Sequence, residues 1–511
     1  MLKIGFFFCQ LGYAWHNENA YNPCKCVQIK ETLPLREGLT FDDVLLIPKR
    51  SPIISRSQTE LKTRLSKSIT LNIPLISANM DTITESDMAI TLAREGGIGI
   101  IHRFMTIADQ VDEVLKVKRS ESVMIEQPYT ISPELRALDA SKMMQQYGVS
   151  GLLVVKANDD KLLGIITRKD ITFLENMDTQ ISDVMTKDVI TANAGITIQD
   201  AKQILHEHRI EKLPVLDNSK KILGLITSKD ILKMERFPLA SKDKKGRLIV
   251  GAAVGVKGDY LERTEALLEA GADTIVVDIA HGHSDNAINT VTMIKKAFPS
   301  CELIAGNVAT GEGTRDLIKA GVDAVKVGVG SGSICITRVV TGSGVPQLTA
   351  VIDSVKVARE FGIPVISDGG IRNSGDAIKA LAAGASSVMV GSIFGGTDES
   401  PGKTVVRHGK KFKMYRGMAS FYASLGRKYR EGGVEVIDNE DPNDYVPEGV
   451  EAMVPYKGSV TEIIRQLVGG VRSGLSYCGA RDIQDMQEKA EFIRITPAGY
   501  IESQPHDVNL V

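Results

Sequence analysis

The sequence has 511 residues, which is enough chain for a complete β/α barrel together with a second domain. Its formal net charge of −2 at pH 7 gives no electrostatic basis for binding nucleic acid or an anionic membrane, and no segment reaches the ~18 apolar residues needed to span a bilayer. The six cysteines have no paired spacing in the body of the chain, which is typical of free thiols in a reducing compartment, so we expect a cytoplasmic protein.

Residues 1–32 differ from the rest of the chain. An apolar run over Ile4–Phe8 is interrupted by Gln10, so it is short for a signal peptide. Cys24 and Cys26 are close enough to bind one metal ion, but no second pair of ligands lies nearby. We therefore interpret residues 1–32 as an N-terminal extension that is either disordered or not translated.

Short apolar runs recur along the chain, with helical stretches between them. Eight such runs are predicted to be buried strands: Pro74–Ala78, Gly97–Ile101, Leu248–Val254, Thr274–Ile279, Leu303–Gly306, Ala324–Gly328, Pro364–Asp368 and Ser387–Gly391. This alternation predicts an α/β fold, a (β/α)8 TIM barrel. About 145 residues separate the second run from the third, which is more than a loop contains, so we expect an inserted domain between strands 2 and 3.

The predicted insert contains an internal repeat. Leu163–Ile171 is similar to Leu223–Ile231. A predicted helix and then a strand precede each copy, at Ala137–Tyr147 and Leu152–Val155, and at Ile198–His208 and Leu213–Leu216. The insert resembles a tandem pair of cystathionine-β-synthase (CBS) domains, which are α+β modules, with boundaries at 123–180 and 181–241.

The CBS resemblance implies a nucleotide site. In that family a Gly-x-x-Thr-x-x-Asp segment often binds adenine or guanine nucleotides, with the threonine facing phosphate and the aspartate facing ribose. The matching residues here are Thr167, Asp170, Thr227 and Asp230, and ATP or GTP is the expected ligand. Alternatively, Asp170 and Asp230 cap the helices that follow them, and the two roles are compatible.

A glycine-rich loop follows the sixth predicted strand. It begins at Lys326, has Gly328, Gly330 and Gly332 at every second position, and has Cys335 near its end. Such glycines let backbone groups approach a ligand closely, and the surrounding amides favour a thiolate. The alternative is that Cys335 is a small buried hydrophobic residue.

Other informative residues also stand where predicted strands end. Asp278 ends the fourth strand, Asn307 follows the fifth, Asp368 ends the seventh, and Gly391 ends the eighth. Catalytic groups of a TIM barrel come from the loops after the strands, and glycine-rich turns after strands seven and eight are the usual place for a phosphate. Backbone N–H groups there hold a dianion without a lysine. The pattern predicts a phosphorylated small molecule whose other end lies near Cys335.

Several ordered motifs resemble inosine monophosphate (IMP) dehydrogenase, from about Leu33 to the C-terminus. The motifs are Leu39–Leu46, Lys326–Arg338, Ser367–Ile371, Tyr415–Met418 and Val454–Gly458. The resemblance puts the catalytic barrel at 33–122 and 242–511, with a mobile flap at about 419–447. It implies NAD-dependent oxidation of IMP to xanthosine 5′-monophosphate (XMP) in guanine nucleotide biosynthesis.

The resemblance also implies a substrate site. The residues that match the family's IMP site are Ser333, Asp368, Gly369, Gly370, Gly391, Ser392, Tyr415, Arg416, Gly417, Met418, Ala419 and Glu448. The implied phosphate ligands are Ser333, Gly370, Gly391, Ser392 and Tyr415. Asp368 accepts from ribose hydroxyls, Gly417 and Met418 bind the purine edge, and Glu448 lies near N1. The alternatives are that Asp368 is a turn residue and Tyr415 a core aromatic residue.

The implied reaction has two halves. The Cys335 thiolate attacks C2 of the purine, hydride passes from C2 to NAD, and a covalent thioimidate remains. Water then hydrolyses the thioimidate to XMP. Asp278 matches the residue that binds the nicotinamide riboside, and Gly328, Val329 and Gly330 approach the cofactor. Because the chain has no Rossmann fingerprint after a first strand, the NAD site is expected at the barrel mouth.

The hydrolytic half requires a base, which the family carries as an Arg-Tyr pair on its flap. The two residues are not adjacent here; Arg427 with Tyr429 is the predicted pair, and Arg430 is the second candidate. The alternative is a solvated basic loop. Thr337 and Glu448 form a second candidate proton relay, as matching residues do in some family members.

The same resemblance implies a potassium ion and an oligomer. The potassium ligands are carbonyls of the glycine-rich loop, completed by the C-terminal segment of a neighbouring subunit: Gly330, Gly332 and Cys335, with Glu502, Ser503 and Gln504. This chain lacks the double glycine that some relatives have in the C-terminal segment. The family forms homotetramers, sometimes octamers through the CBS pairs, and we expect a homotetramer here.

Two other functions are compatible with the sequence. GMP reductase is a relative that forms the same thioimidate but uses NADPH and ammonia; the long polar flap and Glu448–Glu451 favour the dehydrogenase. A nucleotide-sensing CBS protein with an inactive barrel is disfavoured because Cys335, Thr337, Asp278 and Asp368 are all present.

His281 and His283 follow the fourth predicted strand and raise the question of a metal. Two histidines without a carboxylate at ligand spacing are weak evidence for a metal site. We expect a cofactor-side or structural role for the pair.

Overall fold

The structure is a computed structural model that describes residues 35–121, 124–126, 128–156, 161–421, 423 and 446–505, without the side chains at 233–234. The N-terminal extension with Cys24 and Cys26, most of the predicted flap and residues 506–511 lie outside the described residues.

The chain enters the barrel through short elements. They are a 3-10 helix at Phe41–Asp43, β1 (Val44–Leu46), a 3-10 helix at Arg56–Gln58, β2 (Thr63–Arg64) and β3 (Thr70–Leu71). The first two barrel units are β4 (Leu75–Ser77), α1 (Ser86–Arg94), β5 (Ile98–Ile101) and α2 (Ile107–Ser120). Thr106 starts α2, because its side chain accepts from the free amide of Asp109 in the first turn.

Two similar modules follow β5. The first contains β6 (Thr130–Ile131), α3 (Ala137–Gln146), β7 (Gly151–Val155), β8 (Leu162–Thr167), α4 (Arg168–Thr172) and α5 (Ile181–Val184). The second contains β9 (Ala192–Asn193), α6 (Ile198–Glu207), β10 (Lys212–Leu216), β11 (Ile222–Thr227) and α7 (Ser228–Arg236). Each module has a three-stranded sheet in the same order, with an antiparallel hairpin beside a short parallel strand. The sequence repeat therefore corresponds to a repeated fold, and Leu153, Ile165 and Leu225 pack together between the modules.

Six further strands complete a closed parallel barrel. The strands are β12 (Gly251–Val254), β13 (Thr274–Asp278), β14 (Leu303–Val308), β15 (Ala324–Val327), β16 (Val365–Asp368) and β17 (Ser387–Val390). The helices are α8 (Tyr260–Glu269), α9 (Asp285–Ala297), α10 (Gly311–Ala320), α11 (Thr337–Thr341), α12 (Gln347–Glu360) and α13 (Ser374–Ala382). β17 pairs with β4 and β5 pairs with β12, which closes the ring of eight strands. The predicted TIM barrel is confirmed, with a strand near each predicted position.

The third barrel strand begins later than predicted. Leu248–Val250 are buried, but Leu248 forms only an isolated bridge with Lys242, and β12 starts at Gly251. An apolar run signals burial, whereas a strand also requires a partner that continues the hydrogen-bond ladder.

The barrel strands are buried on both faces. Alternate side chains such as Val276, Ile304 and Ala324 fill the barrel, while the intervening ones, such as Val325, pack against the helices. Because side chains alternate along a strand, Lys326 points into the barrel, as Ala324 does. This lysine lies near the end of β15 from which the catalytic loops emerge.

The chain after β17 forms a small sheet and a C-terminal helical region. The elements are β18 (Val405–Arg407), β19 (Lys410–Arg416), β20 (Glu451–Pro455), α14 (Val460–Tyr477), α15 (Ile483–Lys489), β21 (Phe492–Arg494) and α16 (Pro497–Glu502). β19 and β20 pair antiparallel and flank the predicted flap segment in the sequence, and β21 pairs with β1. Across the described residues, no helix combines the length and apolar character that a membrane crossing requires.

Candidate active site

Cys335 lies in the loop between β15 and α11, where its side chain is partly exposed. The buried side chain of Gln347 holds this loop, because its Nε2 donates to the Val327 carbonyl at 2.8 Å and its Oε1 accepts from the Ser331 hydroxyl at 2.9 Å. Gly330 has φ +79°, which residues with a side chain rarely adopt. Cys335 is thus held at the barrel mouth and is not part of the core.

The Cys335 sulfur, the Thr337 hydroxyl and the Glu448 carboxylate form a hydrogen-bonded chain. Cys335 Sγ and Thr337 Oγ1 are 3.1 Å apart, and Thr337 Oγ1 donates to Glu448 Oε2 at 2.8 Å. Because the threonine gives its single hydroxyl proton to the carboxylate, its oxygen is left to accept from the cysteine thiol. The chain therefore connects a thiol to a carboxylate through one hydroxyl, an arrangement that can move a proton.

Backbone hydrogen bonds fix Glu448 between two predicted site segments. On one side the amide of Ile336, in the cysteine loop, donates to the Glu448 carbonyl at 2.8 Å. On the other side the Glu448 amide donates to the Ala419 carbonyl at 3.1 Å. Gly417 and Met418 directly precede Ala419. The residues predicted to bind the purine edge are therefore brought beside the cysteine loop.

Three of the predicted phosphate ligands meet at one point. Tyr415 Oη lies 3.3 Å from Ser333 Oγ, and a Cβ added to Gly391 would lie 3.5 Å from the same phenol oxygen. Tyr415 is 4% exposed, and burial raises the pKa of its phenol, so the hydroxyl stays protonated at neutral pH. Two hydroxyls beside a glycine turn can donate to an anion without a formal positive charge.

The turn after β16 contains Gly369 and Gly370, whose φ angles are +95° and +77°. A side chain would strain both positions, and a Cβ at Gly369 would collide with Ser331 Oγ in the cysteine loop. In the next turn, the Ser392 carbonyl accepts from Lys457 Nζ at 2.9 Å. Both turns follow barrel strands, as the predicted phosphate site requires.

A buried lysine joins side chains from four barrel strands. Lys326 is 2% exposed, and its Nζ lies 2.7 Å from Asp278 Oδ1 at the end of β13 and 2.7 Å from Asp368 Oδ2 at the end of β16. It also donates to Asn307 Oδ1 in β14, and Asn307 Nδ2 donates to Asp368 Oδ2 at 2.9 Å. The carboxylates predicted for NAD and for IMP are thus bridged by one cation.

The charges of this cluster stabilise one another. Burial alone would lower the pKa of Lys326, but Asp278 and Asp368 outweigh it and raise that pKa. Burial alone would raise the pKa of Asp278, but Lys326 reverses the shift and lowers it. Sequence reasoning treated Ala324–Gly328 as an apolar strand and missed the lysine. A lysine inside a run buried on both faces was the available signal, because a buried charge requires partners.

A family model described as the IMP dehydrogenase / GMP reductase domain matches residues 38–506. The chain belongs to this family. Inosine-5′-monophosphate dehydrogenase from Nitrosopumilus maritimus is 67% identical over 479 residues, which are 94% of this chain and 100% of that protein. The protein of the same name from Bacillus subtilis is 52% identical over 477 residues, 93% of this chain and 96% of that protein. A solved structure of GMP reductase from Trypanosoma brucei in complex with guanosine 5′-monophosphate has a TM-score of 0.86 and 46% identity, covering 93% of this chain and 99% of that chain.

Arg416, which the family match assigns to the substrate site, pairs with a carboxylate of the barrel. Its Nε donates to Asp81 Oδ2 at 2.7 Å, and the Asp81 side chain is 3% exposed in the loop after β4. Burial alone would lower the pKa of Arg416, but Asp81 raises it. The guanidinium therefore fastens the end of β19 to the barrel, a contact for which the sequence offers no local signal.

The predicted flap base lies outside the described residues. Arg427, Tyr429 and Arg430 fall within 424–445, which the structure does not describe. The assignment of the base to Arg427 with Tyr429 stays a prediction.

Several residues predicted to bind potassium form hydrogen bonds within their own segments. The Gly332 carbonyl accepts from the Cys335 amide at 3.2 Å, which leaves its second lone pair for a cation. Glu502 ends α16, and the Ser503 hydroxyl donates to the Gly499 carbonyl at 2.8 Å within the same turn. Gln504 follows, and its amide donates to the carbonyl of residue 501 at 3.0 Å.

One histidine of the His281–His283 pair contacts an aspartate. His283 Nε2 lies 3.0 Å from Asp316 Oδ2, and the ring centroids of His281 and His283 are 6.4 Å apart. Within the described ranges no group of three or more His, Cys, Asp or Glu side chains is arranged to hold a metal ion. The cofactor-side or structural role expected for the pair stays a prediction.

The repeated modules enclose a cavity of about 430 Å³. Its lining includes Thr167, four cationic side chains and two carboxylates, with Lys169 paired to Glu211 at 3.0 Å, so cations are in excess: Arg168, Lys169, Arg209 and Lys212, against Asp188 and Glu211. Lys212 Nζ donates to Ser150 Oγ at 2.9 Å, and burial lowers the pKa of this lysine. The cavity therefore contains the first of the two predicted nucleotide-binding threonines.

The two repeat aspartates each pair with the threonine three residues before them, and Asp170 also caps its helix. Asp170 Oδ2 accepts from the Thr167 amide and hydroxyl at 2.7 Å each. Asp230 Oδ2 accepts from the Thr227 hydroxyl at 2.5 Å. In the second module the Asp230 amide donates to the Thr227 hydroxyl oxygen at 3.3 Å, so the threonine is the cap there. The capping alternative is thus realised for Asp170, and Thr167 also borders a cavity in the first module.

Proposed function

We propose that this protein oxidises IMP to XMP with NAD, a reaction on the route to guanine nucleotides. Relatives with 67% and 52% identity over most of the chain are named inosine-5′-monophosphate dehydrogenase, which supports this reaction. The observation that carries the proposal is the Cys335–Thr337–Glu448 chain at the barrel mouth, beside the turns predicted to hold a phosphate.

IMP would lie across the barrel mouth, with its phosphate on the Ser333–Tyr415 pair and the glycine turns. The phenol is protonated and can donate, and the turns offer backbone N–H groups to a dianion. Asp368 would accept from the ribose hydroxyls. Gly417 and Met418 would bind the purine edge, which brings C2 of the base toward Cys335.

In the first half of the reaction Cys335 acts as the nucleophile. Thr337 and Glu448 offer a path for the thiol proton, because the hydroxyl oxygen accepts from sulfur and the carboxylate accepts from the hydroxyl. The thiolate adds to C2, the hydride leaves C2, and a thioimidate joins the purine to the sulfur. NAD supplies the hydride acceptor when it is bound.

In the second half water must attack the same carbon. The Thr337–Glu448 pair can accept a proton from that water, and the thiol leaves as the C2–S bond breaks. Arg427 with Tyr429 remains the proposed principal base, with Arg430 as the second candidate. Glu448 is then available to both halves because it is one hydroxyl away from the reacting sulfur.

The residues at the mouth fit a nicotinamide riboside on the β13 side. Asp278 is charged and its side chain is 20% exposed, so it can accept from a ribose hydroxyl while still paired with Lys326. Gly328, Val329 and Gly330 lead from β15 toward this side, and two of them have positive φ. These residues would bind and orient the cofactor.

Potassium would bind carbonyls of the cysteine loop, Gly330, Gly332 and Cys335. Oxygen donors of this kind suit a hard cation, and the positive φ of Gly330 turns the backbone within the loop. Glu502, Ser503 and Gln504 of a neighbouring subunit would complete the shell. This arrangement needs a neighbouring subunit, and from the family resemblance we propose a homotetramer as the assembly, with octamers through the modules as its extension.

The repeated modules are proposed to be CBS domains that bind ATP or GTP, with domain boundaries at 123–180 and 181–241. The cavity beside Thr167 supports a phosphorylated ligand there, because its lining has more cations than carboxylates and the guanidiniums of Arg168 and Arg209 can pair with phosphate.

The reaction is tested by incubating the full chain with IMP and NAD and following NADH. NADH formation with IMP is expected, and XMP should appear in equal amount. The second candidate is GMP reductase, favoured by the solved Trypanosoma brucei structure at 46% identity. Consumption of NADPH with GMP, and no NADH from IMP, would select that enzyme instead.

The nucleophile is tested by Cys335→Ser. We expect this variant to lose turnover and to keep phosphate-dependent binding of IMP, because the phosphate turns do not involve the sulfur. Mass spectrometry of the wild type trapped during turnover should find a purine adduct on Cys335. Full activity of the variant would contradict the assignment.

A further inference from the structure

The Lys326 cluster links the two halves of the proposed active site. The lysine lies in the middle of four consecutive barrel strands, with Asp278 on one side and Asp368 on the other. We propose that Lys326 is a positioning residue that couples the IMP and NAD subsites through its single shared charge. This inference rests on the proposed function, because that function assigns Asp278 to NAD and Asp368 to IMP.

Lys326 cannot act on the substrates directly. An ammonium has three N–H donors, and Asp278, Asp368 and Asn307 accept all three. The side chain is 2% exposed and so lies beneath the mouth. Its effect on catalysis must therefore pass through the carboxylates that it holds.

The contacts orient Asp368 for a ribose. Lys326 and Asn307 both use Oδ2 of Asp368, at 2.7 Å and 2.9 Å. The other oxygen, Oδ1, remains as the acceptor for a ribose hydroxyl. The Asn307 amide also donates to the Gly328 carbonyl at 2.7 Å, so the first residue of the cysteine loop belongs to the same network. A change in the lysine would then disturb the ribose acceptor and the loop together.

The charge balance makes the coupling reciprocal. Lys326 faces both carboxylates, while Arg103 and Asn79 add support to Asp278, so the attraction that Asp368 receives from the lysine depends on the charge of Asp278. If Asp278 loses its charge, the lysine pairs more strongly with Asp368, whose oxygens become poorer acceptors for the ribose. IMP binding should then weaken even though Asp278 does not contact IMP. Occupation of one subsite should affect the other through the same charge.

A matched control is present at the other side of the barrel wall. Lys118 in α2 is 3% exposed and lies 3.1 Å from Asp243 and 2.6 Å from Asp273, so it is also a buried lysine between two aspartates. It belongs to no predicted substrate contact. Lys118→Met therefore reproduces the cost to folding of losing such a pair without touching the active site.

The test compares Lys326→Met, Asp278→Asn and Lys118→Met in the full chain. IMP affinity is measured by calorimetry without NAD, the KM for NAD and kcat by NADH formation, and folding by thermal unfolding. Lys326→Met is expected to raise the Kd for IMP and the KM for NAD by about tenfold or more each, since misplaced binding groups cost this much. Asp278→Asn is expected to weaken IMP binding by about threefold or more, since residues in one network interact by this amount. Lys118→Met should lower only the unfolding temperature.

The outcomes separate this inference from the proposed function. If wild-type protein forms no NADH from IMP, the proposed function fails. If wild type is active but Asp278→Asn binds IMP as wild type does, the coupling is overturned, whether or not Lys326→Met folds. Folded Lys326→Met with unchanged constants for both ligands would overturn it as well.

Discussion

Glu448 accepts a 2.8 Å hydrogen bond from Thr337, although 111 residues separate them in the chain. The bond joins the loop after the sixth barrel strand to the segment through which the chain returns from the flap. Because Thr337 also contacts the Cys335 sulfur at 3.1 Å, the reacting atom and the flap return share one hydroxyl. Mutation of the Thr337–Glu448 contact should therefore change proton transfer while leaving the nucleophile in place.

We predict that Thr337→Val and Glu448→Gln slow turnover by about tenfold or more, because each removes one member of the proton path. IMP binding should be nearly unchanged in Thr337→Val, since the phosphate and ribose contacts remain, whereas Glu448→Gln also alters a side chain predicted to lie near N1 of the purine. Stopped-flow measurement should show that the first turnover of NADH is slowed as well as the steady state, because the same relay serves the thiol in the first half of the proposed reaction and the water in the second.

Thr341→Val is the matched control for this experiment. Thr341 is in the same short helix, is exposed, and gives its hydroxyl to the Thr337 carbonyl at 2.8 Å, so it loses a local bond without touching the relay. Wild-type turnover is expected for this variant. Normal turnover in both Thr337→Val and Glu448→Gln would remove the relay from the mechanism.

We predict that Tyr415→Phe raises the KM for IMP by a factor of about three to ten, the cost of one neutral hydrogen bond. The reason is that the phenol of Tyr415 lies 3.3 Å from Ser333 at the proposed phosphate site. Inosine, which lacks the phosphate, should be bound equally by the variant and wild type. Tyr456→Phe is the control, because Tyr456, just after β20, donates to Asp398 in the loop between β17 and β18 at 2.7 Å. Equal KM values for Tyr415→Phe and wild type would place the phosphate elsewhere.

We predict that an alkylating reagent at pH 8 modifies Cys335 faster than the two buried cysteines. Burial raises the pKa of Cys301 to about 12 and also raises that of Cys478, so these thiols stay protonated in the folded protein at pH 8. Brief alkylation followed by peptide mass spectrometry should modify Cys335 and spare both buried thiols, and IMP should protect Cys335. Equal labelling of Cys301 and Cys335 in folded protein would contradict the burial argument.

The same shift has a consequence for stability. An unfolded cysteine ionises near pH 8.5, whereas Cys301 in the fold does so only near 12. Between these pH values the folded chain holds more protons than the unfolded chain. The contribution of Cys301 to the free energy of unfolding is therefore fully present below about pH 8.5 and is lost as the pH rises through this window. Cys301→Ala should make thermal unfolding less sensitive to alkaline pH than it is in wild type.

The sequence predicted the barrel well for a physical reason. Strands of a parallel barrel are buried on both faces, so they appear as continuous apolar runs such as Thr274–Ile279, and the structure has β13 at Thr274–Asp278. The insert could be predicted because about 145 residues separate the second apolar run from the third and because those residues contain a sequence repeat. The strand that began late, β12, shows the limit, because burial does not specify where a hydrogen-bonded ladder starts.

The polar contacts of the site were less predictable. Arg416 meets Asp81 and Thr337 meets Glu448 only because the fold brings distant loops together. No local pattern specifies such a partner. Lys326 is the exception, since a lysine in a buried run indicates an ion pair even though the sequence does not name the partners.

The two repeated modules offer a matched test of nucleotide binding. Thr167 and Thr227 occupy equivalent positions, and each hydroxyl donates to the aspartate three residues later. Of the two, Thr167 lines the cation-rich cavity of about 430 Å³. Valine at either position removes this hydroxyl bond, and at 227 also the bond from the Asp230 amide, a loss of about 1 kcal/mol, so each ligand-induced shift is measured from the variant's own unliganded unfolding temperature.

We predict that ATP or GTP raises the unfolding temperature of wild type and of Thr227→Val, and raises that of Thr167→Val much less. A ligand at a hundred times its Kd stabilises a fold by about 2.7 kcal/mol, which exceeds the cap contribution and is readily measured. The decisive quantity is the difference in ligand-induced shift between the two variants, because their loss of the cap cancels in that comparison. Equal loss of the shift in both variants would show that the cavity beside Thr167 is not the preferred site, and an unchanged shift in Thr167→Val would exclude its hydroxyl as a phosphate ligand.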